Sequence, residues 1–491
     1  MEQHAQSAVD PMGSATAMID ALQRRLISAE ELLALHLDRI EKDNAPVNAV
    51  VTVDADGARE RARQSDARRA EARLLGPLDG LPMTVKDSIR TIGIRTTAGA
   101  EALRDYVPQE DAGVVVRVKQ AGGNVFGKTN VPIMASDIQC FNNVFGLTRN
   151  PWHPDFAVGG SSGGAAAALA MGFTSLEVGS DIAGSLRIPA HACGIYSHKP
   201  TLDVIPEDGH IPPPPGIVAS TQLATLGPMA RSADDLTLLF DVLSAPEASG
   251  RPGWRADLAA PRHRDLKDFR VAVWIDDRRL IADVETRAML ETVGSALQRT
   301  GARVDFKARP FTDTDGVADA YLQLVLPFLA GNSTAQEIAA SVGRVGDVAA
   351  RHARLVDPAA STLAAYFAAK EVQARSKLAW ARFFEFHDVV ICPVMPSAIR
   401  RHAHEGETWE RTVVVEGKEI AYWEQSLWCG ALATFAHLPA TARPIATAAQ
   451  GTPMGIQIVG PFMEDRTTLR FAGLLDELFG SFTAPPRMHR A

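Results

Sequence analysis

Three short segments of this 491-residue chain hold side chains whose types and spacing could do chemistry. In the first, Gly80-Leu81-Pro82-Met83-Thr84-Val85-Lys86-Asp87, an apolar run ends on a lysine. Such a lysine either snorkels its ammonium to water, which is the commoner arrangement, or is buried as an amine. Buried, its ordinary pKa of ~10.4 falls by several units, and the neutral amine can take a proton. In the second, Gly159-Gly160-Ser161-Ser162-Gly163-Gly164 opens into an alanine-rich run. Glycines there permit unusual backbone angles and close approach of a ligand. A flexible linker would not lead directly into so helical a stretch, whereas an anion-binding helix N-terminus would. In the third, Gly179-Ser180-Asp181-Ile182-Ala183-Gly184-Ser185-Leu186-Arg187-Ile188-Pro189, a small-residue turn carries a serine. It is either a tight structural turn or one that sets a hydroxyl beside free backbone N–H groups, the makings of an oxyanion hole.

The elements that must position these segments are legible in outline. Ser28 caps a periodic helix ahead of Glu30 and Glu31, and residues 47–54 read as a short strand. Residues 81–87 read as the end of a buried strand. A helix from Gly113 delivers the chain into a strand through residues 123–130, and 148–164 is loop. Ile205 to Gly216, with prolines at 212–215, is expected to be an extended surface segment. A strand restarts at 269–276, followed by a helix and strand through residue 306. Residues 310–440 read as mostly helical, 454–460 as a late strand, and 466–479 as a closing helix. Alternating strands and helices argue an α/β fold. No fixed-period repeat is present.

The second segment also satisfies G-x-S-x-G twice, with Ser161 or Ser162 as the serine. The nucleophile elbow of α/β-hydrolases needs a strand immediately before that serine. The residues here, NPWHPDFAV, contain two prolines and make a poor strand. Taken together, the three segments closely resemble the amidase-signature family, and Ser161 and Ser185 are 24 positions apart, as in that family. Flanking agreement comes from GKTN at 127–130, NPW at 150–152, HKPT at 198–201, LPA at 438–440 and GTPMGIQIVGP at 451–461. The resemblance spans about residues 20–480 and is weak between about 230 and 435.

The resemblance implies an α/β amidase-signature fold, a large twisted mixed β-sheet core surrounded by helices. Residues 1–70 would form a helical arm packed on the core. Residues 71–480 would form the catalytic domain, with a variable substrate-pocket region at about 230–435. It further implies Ser185 as nucleophile, Ser161 as proton relay and Lys86 as general base. Backbone N–H groups of Ile182, Ala183, Gly184 and Ser185 would hold the oxyanion, with Ser162, Asp181 and Arg187 as supports. Met134, Ile138, Cys140 and Phe141, which follow GKTN, and Trp428 are expected to line the pocket. Ala183 stands where the family usually has glycine, yet it removes no backbone donor. The expected activity is cleavage of linear amides, extending to carbamates (urethanes) and esters, with neither cofactor nor metal.

Two other functions are weighed. In the glutamine-amidotransferase subunits of tRNA-dependent complexes, a glutamine typically follows Ser-Ile-Arg and a Tyr-Gly-Arg pattern follows KPT. Here those places hold Ile188 and Leu202-Asp203-Val204. A catalytically silent binding module would have no need of Lys86, Ser161 and Ser185 together. A net charge of −8 argues against a nucleic-acid surface, and no apolar stretch is long enough for a membrane span. Four scattered cysteines and an N-terminus without an apolar core lead us to expect a cytoplasmic protein, monomer or homodimer. His402, His404 and Glu405 lack a further ligand pair and read as an exposed loop rather than a metal site. Trp409, Trp423 and Trp428 read either as core or as an aromatic wall over the pocket.

Overall fold

The computed structural model describes residues 9–219, 222–244, 257–275, 277–329, 355 and 362–486. The first eight residues of the expected arm, and 245–256, 276, 330–354 and 356–361 of the expected variable region, lie outside the described residues. Helices α1 (Ala15–Gln23), α2 (Ala29–Val47), α3 (Ala55–Ala70), α4 (Gly113–Gln120), α5 (Gly163–Ala170) and α6 (Arg187–Cys193) occupy the first 193 residues. Ser28 caps α2 through a reciprocal pair with Glu31, as its sequence spacing implies.

The strands, in chain order, begin with β1 (Val50–Val53), β2 (Pro82–Lys86) and β3 (Asn124–Thr129). Next are the hairpin β4 (Phe141–Asn142) and β5 (Gly146–Leu147), then β6 (Glu177–Asp181), β7 (Tyr196–Lys199) and β8 (Thr225–Ala230). The second half supplies β9 (Arg270–Val273), β10 (Arg303–Asp305), β11 (Val389–Pro393), the hairpin β12 (Thr412–Val415) and β13 (Lys418–Ala421), β14 (Ala440–Thr447) and β15 (Pro453–Val459). Eleven of them make one sheet in the order β1-β3-β2-β6-β8-β7-β14-β15-β11-β9-β10. β2 runs parallel to β3 and β6, and β9 runs parallel to β10 and β11, while the remaining pairs are antiparallel. The sheet is therefore mixed, as expected. Every residue of β2, β3, β6, β8 and β15 is buried, the mark of a sheet covered on both faces.

Helix α5 is buried at all eight positions and packs on β2, β6 and β8. Its composition explains the approach: a Cβ added at Gly164 would collide with the Asn130 backbone. Residues 50–53, read as a short strand within the expected arm, form the edge strand of the sheet. Two elements differ from their sequence reading. The stretch 310–440 contains β11 in the sheet interior as well as helices Thr314–Leu329 and Leu363–Phe383, because a short, wholly apolar strand has no period to distinguish it from a buried helix. The proline-rich stretch is anchored rather than merely superficial. Ile205 and Ile211 are buried, Ile211 N–H donates to Ser88 O at 2.7 Å, and His210 forms a bridge with Ile89. All four cysteines are buried free thiols, and no helix among the described residues is long and apolar enough to cross a membrane.

Candidate active site

β2 and β6 lie side by side in parallel, so Lys86 and the turn after Asp181 emerge at the same end of the sheet. Lys86 is wholly buried, which answers the choice between snorkelling and burial left open by the sequence. Its Nζ lies 2.7 Å from Ser161 Oγ and 2.8 Å from Ser180 Oγ. Burial lowers its pKa to about 7, a fall that the more distant Cys140, Asp181 and Glu177 only partly oppose. Near neutral pH a substantial fraction is free amine, able to accept a proton.

The glycine-rich loop brings Ser161 over this lysine, and the Gly160–Ser161 peptide bond is cis. No strand precedes Ser161, so the loop is not a nucleophile elbow. Ser162 fastens the loop to the turn: its N–H donates to Ser185 O at 3.1 Å, and its Oγ donates to Ser180 O at 3.3 Å. The turn is held from within by Asp181, which accepts from Gly184 N, Leu186 N, and Arg187 Nε and Nη2 at 2.7–3.1 Å. Arg187 also reaches Cys429 O, Gln457 Oε1 and Thr434 Oγ1. Burial disfavours both ions, yet their mutual attraction outweighs it, leaving Asp181 below and Arg187 above their ordinary ranges.

These bonds correct one expectation. Gly184 N–H is occupied by Asp181 Oδ1 at 2.9 Å and is not aimed at a ligand, because its carboxylate neighbour competes for it. Among the described residues, nothing accepts from the N–H groups of Ile182, Ala183 or Ser185. Gly184 has φ +100°, a conformation that favours glycine, and a Cβ there would meet Ile188 and Cys429. Ala183 lies outside the left-handed region, so the methyl group fits without backbone strain.

Ser161, Ser180, Ser185 and His210 share the lining of one pocket. Beside these polar groups and Asp181 the lining is apolar, with Met134, Ile182, Ala224, Phe328 and Leu329 in it. Of the expected lining residues Met134 alone belongs to it. Ile138 and Cys140 are packed in the core, and the Cys140 thiol meets Thr148 Oγ1 at 3.5 Å. Phe141 stacks on His404, and Trp428 packs against Trp274 while its indole N–H donates to Ile281 O at 2.9 Å. Ile138 and Cys140 miss the pocket because the chain turns at 134–136 and runs on against the glycine-rich loop, where Gln139 abuts Gly160 and Cys140 abuts Gly163. Trp409 and Trp423 are likewise core residues. His402 is tilted against His404 and bonded to Pro154 O, and no group of metal-ligating side chains is gathered among the described residues.

Sequence reasoning missed His210, Phe328 and Leu329. His210 is the only histidine between residues 199 and 262, which marks it as chemically distinct, but the flanking prolines point to a surface segment. Phe328 and Leu329 fall in a stretch without clear patterning.

Relatives of the chain fall in one family. The Amidase family model matches residues 31–469. A glutamyl-tRNA(Gln) amidotransferase subunit from Moorella thermoacetica is 32% identical over 478 residues, covering 92% of this chain and 93% of that protein. The indoleacetamide hydrolase of Bradyrhizobium diazoefficiens is 31% identical over 459 residues, covering 92% and 84%. The solved structure of 6-aminohexanoate cyclic dimer hydrolase complexed with substrate superposes with a TM-score of 0.76 at 25% identity, covering 96% and 98%.

Proposed function

The chain belongs to the amidase family, and from that premise we propose that it is a free-standing hydrolase of small, neutral amides with apolar substituents. One observation carries the reading: a buried, low-pKa Lys86 touches Ser161 in a pocket that also presents Ser185. In the proposed sequence Ser185 Oγ–H passes its proton to Ser161, whose own proton moves to the Lys86 lone pair, while Ser185 Oγ attacks the carbonyl carbon. Ile182, Ala183 and Ser185 N–H groups face the developing oxyanion, each worth about 3 kcal/mol or more. Collapse expels the amine, which takes the proton back through Ser161. Water then repeats the transfer and frees the acid and Ser185. An N-aryl carbamate of an aliphatic alcohol would lose its arylamine in the same way, and the remaining carbonate ester on Ser185 would hydrolyse to alcohol and carbon dioxide. The proposal treats residues 71–480 as the catalytic unit, with the segment before them as a packed arm. It takes the partner to be a small molecule and the compartment to be the cytoplasm.

The likeness to amidotransferase subunits favours a second reading, that of a glutamine-handling component of a larger complex. Glutamine carries both an ammonium and a carboxylate and needs counter-charges. Among the described residues, the ionised group in the lining is Asp181, whose oxygens are already committed to Arg187 and the turn. Ile188 and Leu202-Asp203-Val204 also depart from that group's pattern.

The test is release of p-nitroaniline from a small acyl anilide, with nitrophenyl carbamate, nitrophenyl ester and glutamine in parallel. The expected result is turnover of the anilide by wild type and loss of about 10³-fold or more in Ser185→Ala and Lys86→Ala. Full activity in Ser185→Ala, or turnover of glutamine alone, overturns the reading.

A further inference from the structure

The Lys86 cluster contains a group that the proposed chemistry does not use. His210 is nine-tenths buried in the pocket wall, its Nε2 2.9 Å from Ser180 Oγ and 3.1 Å from Ser88 Oγ, and its Nδ1 3.0 Å from Pro212 O. A carbonyl oxygen only accepts, so Nδ1 carries the hydrogen and the Nε2 of the neutral ring is a bare acceptor. Burial, and the positive charge that Lys86 carries when protonated, push the His210 pKa down to about 3 and keep the ring neutral.

The remaining hydrogens follow by counting. Ser180 has one hydroxyl hydrogen and two close partners, His210 Nε2 and Lys86 Nζ. If that hydrogen points at His210, Lys86 must donate to Ser180. A neutral amine has two N–H groups and one lone pair. One N–H is then spent on Ser180, and the lone pair is left for the Ser161 hydroxyl at 2.7 Å. If Ser180 instead donated to Lys86, it would compete with Ser161 for that single lone pair. Ser88 shares His210 Nε2 but lies farther away, and Ile211 N–H holds the Ser88 backbone so that the ring stays over Ser180.

We propose that His210 is a positioning residue for the Lys86 base: by accepting the Ser180 hydroxyl it fixes Ser180 as an acceptor toward Lys86 and reserves the amine lone pair for Ser161. This rests on the Ser185–Ser161–Lys86 reading above.

The experiment compares wild type, His210→Met, His210→Gln, Ser180→Ala and the double variant His210→Met/Ser180→Ala on the anilide. The expected loss in kcat for His210→Met is about 10²-fold with little change in KM. Once Ser180 is free to donate, it stabilises the neutral amine, so the acid limb of the pH profile moves to lower pH while the plateau falls. The other groups acting on Lys86 (Cys140, Asp181, Glu177) are unaltered in these variants. His210→Gln keeps a carbonyl acceptor at the Nε2 position and recovers most of the rate. The double variant is no worse than Ser180→Ala alone, since His210 acts through Ser180. Wild-type kcat with an unmoved acid limb in His210→Met, or full additivity in the double variant, overturns the proposal. If His210→Met does not fold, ¹⁵N NMR of wild type decides: a bare Nε2 supports it, and a protonated Nε2 sinks it. Activity in Ser185→Ala would remove the hydrolase reading and this one with it. An inactive Ser185→Ala beside an unaffected His210→Met removes this one alone.

Discussion

Two buried cations stand within one region of the molecule, Lys86 at the end of β2 and Arg187 at the start of α6, and their surroundings treat them in opposite ways. Around Arg187 every N–H has a partner: a bidentate carboxylate from Asp181, two further oxygens from Cys429 and Gln457, and the Thr434 hydroxyl. Its charge is locked in. Around Lys86 the hydrogen-bonding partners are two hydroxyls, and the nearest carboxylates act only at a distance. Hydroxyls do not repay the desolvation of an ammonium, so the site sheds its proton near neutrality. A charge matched by a carboxylate stabilises a turn, whereas one offered only hydroxyls becomes a base.

The largest expected effects oppose function to stability at these two positions. Lys86→Met loses about 10³-fold or more in kcat/KM. Its unfolding free energy holds or rises, because a costly buried amine is replaced by an apolar chain of similar volume. Arg187→Met leaves Asp181 buried and unpaired and lowers unfolding free energy by about 3–5 kcal/mol. Urea denaturation of the two variants checks both; equal destabilisation would break the contrast. The pH dependence is the next effect in size. With Lys86 near pH 7 and reactive only as amine, kcat/KM falls about tenfold per pH unit well below that value and levels off above it. The Asp181–Arg187 pair does not titrate in that range, so a pH profile that stays flat down to pH 5 would refute the assignment of the base. The smallest effect is at Ala183. Ala183→Gly retains the backbone donor, so kcat is expected to change far less than the ~10²-fold that accompanies loss of an oxyanion donor. A change of that size would mean the methyl group shapes the acyl pocket.

Much of this region is legible in the chain. Asp181, Arg187, Ser161, Ser162 and Ser185 lie within 27 consecutive residues, and their contacts are made through one loop and one turn whose glycines announce them. Lys86 is marked by its place at the end of an apolar run. The pocket walls are different. Nearness in sequence suggests Ile138, Cys140 and Phe141, and a cluster of tryptophans suggests Trp428; the fold places each of them elsewhere, while Ala224, Phe328 and Leu329 arrive from distant segments. His210 is hidden by its prolines, because restricted backbone angles say that a segment is extended and nothing about what it lies against.

The mixed sheet was implied only by the family resemblance, whereas the sequence alone determined the α/β alternation of elements, the residue types of the cluster and the capped helices around it. These depend on short-range backbone preference and on periodic burial, both local properties of the chain. Tertiary structure alone decided that Lys86 is buried, that Gly184 N–H is spent on Asp181, and that His210 reaches Ser180. A proton's affinity and a hydrogen bond's direction depend on every group within a few ångströms, and most of those groups come from far along the chain.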